Sequence, residues 1–273
     1  MANIETGWEH DKRTHFDDIV ANYDAIRPEY PEQLFADIFA YSGAAENALE
    51  IGAGTGKATR HILDAGCSVT AVEPGENMAE FLRERFADRK NFDVIVATFE
   101  DAEVNGNYDL IYAATSFHWV NAEIGLPKAW RLLRPGGMIA LFRYNGVPSD
   151  GEPLYEEIQS VYEKYYNSHY GFSGRPPKDE YGQPSQLQRR FGFSDLAAYG
   201  FGDVTMKLYD TEIIYTADEY IALLDTLSDH RHLPEANRTA LYAGIKEAII
   251  KYGGRATRPH TFQLYMGRKR DIT

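Results

Sequence analysis

A single cysteine, Cys67, stands among 273 residues, so no disulfide can close within the chain. That scarcity fits a reducing compartment, and the cytoplasm is the expected location. Basic residues are also few: 28 Lys and Arg against 41 Asp and Glu leave a net charge of −13. Such a surface repels a phosphate backbone unless a local basic patch overrides it. The densest basic run, Arg268-Lys269-Arg270, reads as a solvated end, so nucleic acid is not an expected partner. No stretch approaches the ~18 apolar residues of a membrane helix. The opening MANIETGWEHDKR has no apolar core of the kind a signal peptide needs. Repeats and low-complexity tracts are missing too. The remainder, 44% hydrophobic and 25% charged, has the composition of an ordinary globular protein.

Hydrophobic periodicity supplies the architecture. Leu34, Phe35, Ile38 and Phe39 recur at helical spacing behind Pro31, and Ser42-Gly43 stops them. Strands are then predicted at 47–51, 68–72, 92–97, 108–113 and 138–143. Helices are predicted from the glycine-rich turn to about 65, over 76–86 and over 122–133. Alternation of this kind implies parallel strands with helices on both faces. The pattern changes after Tyr144, where Tyr, Gly and Pro become frequent. A helix is expected at 154–166, a long loop at 171–184 and an extended strand at 203–215. Two helical faces (Tyr220 to Leu227, Leu241 to Ile249) and a last strand at 260–267 follow. One domain over 1–273 is preferred to two, because the final strand needs a sheet to join. The expected fold is α/β: a Rossmann-like, doubly wound, mostly parallel sheet with an antiparallel final strand and inserted helices.

The most informative segment is Glu50-Ile-Gly-Ala-Gly-Thr-Gly56, where an apolar strand runs into three glycines and a helix begins. Glycine admits positive φ and a close ligand, and a helix N-terminus offers free N–H groups. A phosphate-binding P-loop needs Ser or Thr after its lysine, but Lys57 precedes Ala58. A dinucleotide loop needs GxGxxG, whereas the spacing here is GxGxG. A bare strand–helix turn without a ligand is the third possibility. Glu73 ends the second strand, 17 residues past Gly56, where an acid can accept hydrogen bonds from ribose hydroxyls.

These segments, with FDDIVANYDAIRPEYP at 16–31, TFED at 98–101, YDLIYAATSFHWV at 108–120 and RLLRPGG at 131–137, resemble the class I S-adenosylmethionine-dependent methyltransferases, small-molecule enzymes of the methyltransferase type 11 kind. Residues 16–143 carry the likeness, and those beyond 145 carry none. The resemblance implies N-terminal cap helices at 1–45, a cofactor-binding half at 46–144, and insertions at 145–258 forming an acceptor pocket or lid. It implies S-adenosyl-L-methionine as cofactor. Glu50, Gly52, Ala53, Gly54 and Gly56 would pass beneath its methionyl part, with Ala113 to Thr115 near the amino group. Glu73 and Pro74 would meet the ribose, and Met78, Phe99 and Glu100 the adenine. Tyr23 and Arg27 would close over the carboxylate, which an arginine can grip bidentately.

Methyl transfer from a sulfonium is an in-line displacement, so the protein mainly aligns the acceptor and excludes water. A general base is needed only for an acceptor still protonated at the working pH, and a carboxylate needs none. His118, in Ser116-Phe-His-Trp119 past the fourth strand, is the candidate catalytic base; the alternative is that His118 and Trp119 are pocket walls. His230, His232 and His260 are expected at the surface, and no metal is expected. Tyr155, Tyr162, Tyr165, Tyr166, Tyr170 and Tyr181 could form a lid or pack an added helical layer. The sequence therefore points to a cytoplasmic enzyme acting on a small-molecule acceptor, as monomer or homodimer, without nucleic acid or membrane. An NAD-dependent oxidoreductase and a non-catalytic S-adenosylmethionine-binding protein are the rivals.

Overall fold

A computed structural model describes residues 24–172 and 196–270. Seven strands form one sheet. They are β1 (Asn47–Ile51), β2 (Ser68–Glu73), β3 (Phe92–Val96), β4 (Tyr108–Ala114), β5 (Leu133–Gly146), β6 (Phe201–Thr216) and β7 (Arg255–Lys269). Their spatial order is β3-β2-β1-β4-β5-β7-β6. The first five are mutually parallel, and β7 runs antiparallel between β5 and β6. The Rossmann-like fold with an antiparallel last strand is thus the observed one.

Period-two alternation builds two cores, one on each face. Ala48, Leu110, Tyr112, Met138, Ala140 and Phe142 point to one side and meet α1 (Glu32–Ser42), α2 (Lys57–Asp64) and α3 (Glu76–Arg85). Leu49, Ile51, Ile111, Ala113, Ile139 and Leu141 point to the other and meet α4 (Ala122–Leu132). A third cluster lies off the sheet. There α5 (Pro153–Tyr162), α6 (Ala217–Asp225) and α8 (Glu235–Lys251) pack around Leu224, Leu241, Ile245 and Ile249, with the short α7 (Ser228–Arg231) between α6 and α8. Thr216 and Glu219 close a reciprocal capping box that fixes the start of α6 where β6 ends.

Four predicted elements differ in extent. β5 begins at Leu133 rather than 138, because Leu133 pairs with Tyr108 ahead of an irregularity at Tyr108/Leu110. β6 and β7 are longer than expected because each covers the other along 201–216 and 255–269. The helix predicted at 154–166 begins at Pro153 and loosens into a π-helical turn at Glu163–Asn167. The loop predicted at 171–184 lies almost wholly outside the described residues, as do Tyr23 and Tyr181.

Candidate active site

The carboxyl ends of β1, β2 and β4 open onto a cavity of about 500 Å³, bounded on its far side by β5, α6 and β7. In an open α/β sheet this is the edge where ligands bind. The Gly52 N–H donates to Val72 O at 2.7 Å, which ties the loop to the end of β2. Gly54 has φ +55°, and a Cβ there would project into open space, so this bare stretch of backbone is a cradle. Glu73 holds that cradle: its Oε2 accepts from the Gly54 N–H at 2.8 Å and its Oε1 from the Gly75 N–H at 3.0 Å. Glu73 also lines the cavity, so the carboxylate that fixes the cradle stands at its wall.

One wall comes from the segment after β3. Phe99 and Glu100 line the cavity together with Met78 and Pro74. Lys128 of α4 holds this wall, its Nζ donating to the carbonyl oxygens of Phe99 at 2.7 Å and Ala102 at 2.5 Å. Glu100 Oε1 accepts from the Asn121 N–H at 2.9 Å, where α4 begins. The segment is therefore preorganised by backbone contacts rather than by a ligand.

Beyond β4 the chain turns sharply. Thr115 has φ +56°, and its Oγ1 and the Tyr30 hydroxyl share a hydrogen bond of 2.7 Å. Ser116 Oγ donates to Ile51 O, locking this turn against the glycine loop. His118 and Trp119 follow, ring centroids 5.0 Å apart, both lining the cavity. The His118 side chain is accessible and lines the cavity. Burial first, then the charges of Arg143 and Arg27, lower its pKa to about 3. It is neutral near pH 7, able to accept a hydrogen bond but only weakly basic.

The far end is cationic. Arg27, Arg143 and Arg258 line it, and Asp229 is the carboxylate on that side. Arg27 Nη1 donates to the Tyr144 hydroxyl at 2.8 Å and its Nη2 to Thr226 O at 2.7 Å, joining the N-terminal segment to β5 and to the end of α6. Asp229 is already engaged. Its Oδ2 accepts from the Tyr166 hydroxyl at 2.5 Å, and its Oδ1 lies 2.9 Å from both the backbone nitrogen and Nδ1 of His230. These contacts outweigh burial, which opposes them, and hold Asp229 down at about 2.

Most predicted positions line this cavity: Arg27, Gly52, Ala53, Gly54, Glu73, Pro74, Met78, Phe99, Glu100, Thr115 and His118. Three do not. Glu50 is fully buried beneath the loop, its Oε2 accepting from Thr59 Oγ1 at 2.5 Å and the Tyr112 hydroxyl at 2.8 Å. Gly56 begins α2 with φ +81°, packed where a Cβ would stand 2.6 Å from Phe86. Ala113 is buried in the sheet, and its neighbour Ala114 faces the cavity instead. Two histidines expected at the surface are buried: His230, 2.8 Å from the Tyr162 hydroxyl, and His260, whose Nδ1 meets Arg258 O at 2.9 Å. Each has a polar partner far away or in a strand, which sequence spacing does not reveal. His232 is exposed as expected. Tyr30, Arg143, Asp229 and Arg258 line the cavity without having been anticipated. Only the position of Arg143 at the end of the predicted fifth strand hinted at such a place.

Among the described residues, no helix is long and apolar enough to cross a membrane, and no group of three or more His, Cys, Asp and Glu is arranged to hold a metal. Residues 49–141 match the family model of a methyltransferase domain. An uncharacterized methyltransferase of Schizosaccharomyces pombe is 25% identical over 84% of this chain and 85% of its own length. A malonyl-[acyl-carrier protein] O-methyltransferase of Acetivibrio thermocellus is 25% identical over 76% of this chain and 74% of its own. A protein from Anaeromyxobacter dehalogenans, provisionally named a type II methyltransferase, superposes with a TM-score of 0.63 at 23% identity, over 89% of this chain and 98% of its own. Together with the strand order, the glycine cradle and the acid at the end of β2, the methyltransferase domain at 49–141 and the methyltransferase-named relatives support a class I S-adenosylmethionine-dependent methyltransferase.

Proposed function

We propose that the protein transfers the methyl group to a small molecule enclosed in the far end of the cavity. One observation carries this reading: the cavity does not end at the glycine loop but continues past Thr115 to β5 and β7, enclosed by residues of α6 and α7. A space of about 500 Å³ suits a metabolite.

The residues present fit the cofactor. The Gly54 cradle and the carboxylate of Glu73 at the cavity wall suit the methionyl chain and the ribose diol. Met78 and Phe99, both buried, offer apolar faces for the adenine, with Pro74 and Glu100 beside them. Thr115, Gly52 and Ala53 would meet the methionyl part, and Arg27, between the two ends, would face its carboxylate. When bound, the cofactor supplies a methyl group already activated on a sulfonium. The protein's part is to orient the acceptor on that axis and to keep water out. Tyr30, Trp119 and Tyr144 provide the enclosing surface. His118 faces the same space as a neutral ring; the proposed catalytic role is to accept a hydrogen bond, and a proton where the acceptor carries one. From the insertions, Leu223, Leu227, Ser228 and Asp229, with Arg258, would supply the acceptor wall. A cytoplasmic setting and a monomeric or homodimeric state belong to the same proposal, supported by the lone buried Cys67.

Incubation of the protein with methyl-labelled S-adenosylmethionine and fractionated metabolite extracts tests the reading. Label appearing in a small-molecule product is expected. Label appearing only in protein or nucleic acid would overturn it.

A further inference from the structure

Arg258 sits near the start of β7 and lines the acceptor end of the cavity. Its guanidinium lies over the backbone of Gly146, so close that a Cβ there would fall 2.7 Å from Nε and 2.8 Å from Nη2. The centre of the Tyr220 ring is 5.7 Å away. Among the described residues its side chain makes no hydrogen bond and no ion pair. An arginine is charged at every working pH, and an enclosed charge without a counter-ion is among the costliest features a fold can carry.

Among the described residues the Tyr220 ring is a partial offset, and no carboxylate pairs with Arg258. Asp229, the carboxylate at this end, has both oxygens engaged by His230 and Tyr166. Arg27 and Arg143 add two more cations to the same walls, in a chain whose net charge is −13. A polar neighbour is a donor as well. Asn145 lines the cavity, its Oδ1 accepting from Arg143 Nη2 at 3.0 Å, while its Nδ2 has no hydrogen-bond partner. A surface rich in donors and poor in acceptors is complementary to an anion, and the planar guanidinium fork matches a carboxylate or a phosphate in two-point contact.

We propose that the methyl acceptor is a small organic anion whose carboxylate or phosphate is held by Arg258. The proposal rests on the far end of the cavity being the acceptor site. Arg258 is then a binding and specificity-determining residue, and a neutral or cationic analogue of the acceptor is rejected because it would leave the guanidinium enclosed without a partner.

Calorimetry on the whole protein saturated with S-adenosylhomocysteine separates this proposal from the reading beneath it. The titrants are succinate, tricarballylate, inorganic phosphate and phosphoethanolamine, with succinamide as the neutral match. At least one anion is expected to bind while succinamide does not. The anion that binds identifies the group as carboxylate or phosphate. In Arg258→Gln that affinity should fall roughly 30-fold or more, with S-adenosylhomocysteine binding retained. Gly146→Ala, which pushes the guanidinium aside without removing its charge, should weaken the same anion. If Arg258→Gln loses S-adenosylhomocysteine binding, Arg258→Lys replaces it and must show the same selective loss. Binding of S-adenosylhomocysteine with no anion bound, or equal anion affinity in the Arg258 variants, overturns the proposal. Failure of wild-type protein to bind S-adenosylhomocysteine would instead overturn the assignment of the glycine loop.

Discussion

Glu73 and Gly54 stand 19 residues apart on different strand–helix turns, and the carboxylate of one accepts from the backbone N–H of the other at 2.8 Å. Glu73 therefore shapes the cradle as well as facing it. Removing it takes away a charged acceptor and releases the loop. For Glu73→Ala we expect S-adenosylhomocysteine to bind roughly 10- to 100-fold more weakly, the range for hydrogen bonds to charged groups. Calorimetry reads this directly, and unchanged affinity would remove Glu73 from the cofactor site.

Gly56 tests the packing beneath the loop. An alanine there must hold φ +81° and place its Cβ 2.6 Å from Phe86 Cε2 and 2.8 Å from Leu82 Cδ2. Strain and overpacking together should cost about 1–3 kcal/mol, seen as a lower unfolding midpoint in urea. Because Gly56 does not line the cavity, the cofactor affinity of the folded fraction should change less than in Glu73→Ala.

The enclosed histidines give stability a pH dependence. Burial and neighbouring arginines hold His118 at about 3; burial and Arg258 hold His260 at about 4; the ordinary value is 6.5. Between those limits the unfolded chain binds more protons than the native one. Stability is therefore full above 6.5 and falls as the pH drops toward 4. Melting curves from pH 7.5 to 4.5 should show this decline, and His260→Gln should flatten it.

Glu50 works in the opposite direction. Burial raises its pKa from 4.5 to about 8, against the hydrogen bonds from Thr59 and Tyr112. Here the native state holds the extra proton, so this contribution is full below 4.5 and is lost as the pH rises through 8. Glu50→Gln should keep the shape and remove that loss. The variant should gain stability relative to wild type as the pH is raised from 6 to 9.

His118 has a kinetic signature of its own. With a pKa near 3 it contributes no inflection around pH 6.5 to kcat/KM, because the free enzyme is already in the neutral form. His118→Ala should lower turnover with the labelled-screen acceptor while leaving cofactor affinity nearly unchanged. Turnover equal to wild type would make the ring a wall and not a catalytic group.

Local patterns in the sequence carry the cofactor half. β1 occupies Asn47–Ile51, the predicted residues, because its apolar run is bounded by polar Asn47 and by the glycines. The motif also located the cradle, but alternation decides which members face it. Glu50 lies between Leu49 and Ile51 and so points to the opposite face, toward Tyr112. The acceptor half is written in long-range pairings instead. Arg143 and Arg258 share a cavity because β5 and β7 pair, with Gly146 opposite His260. His230 is buried by Tyr162, 68 residues away, and nothing in Asp229-His230-Arg231 announces it. Residues of that kind become legible only once strand order is known.

The position of β7 bears on how the molecule is made. Residues 47–146 contain every strand of the parallel half, but the core on one of its faces also takes Phe262, Leu264 and Met266 from β7. Arg258 and His260 come in the last strand, which must insert between β5 and β6. The cavity wall that Arg258 and His260 supply is thus the last to be synthesised, and a chain stopped after β6 would lack both that wall and the strand that joins β6 to the rest of the sheet.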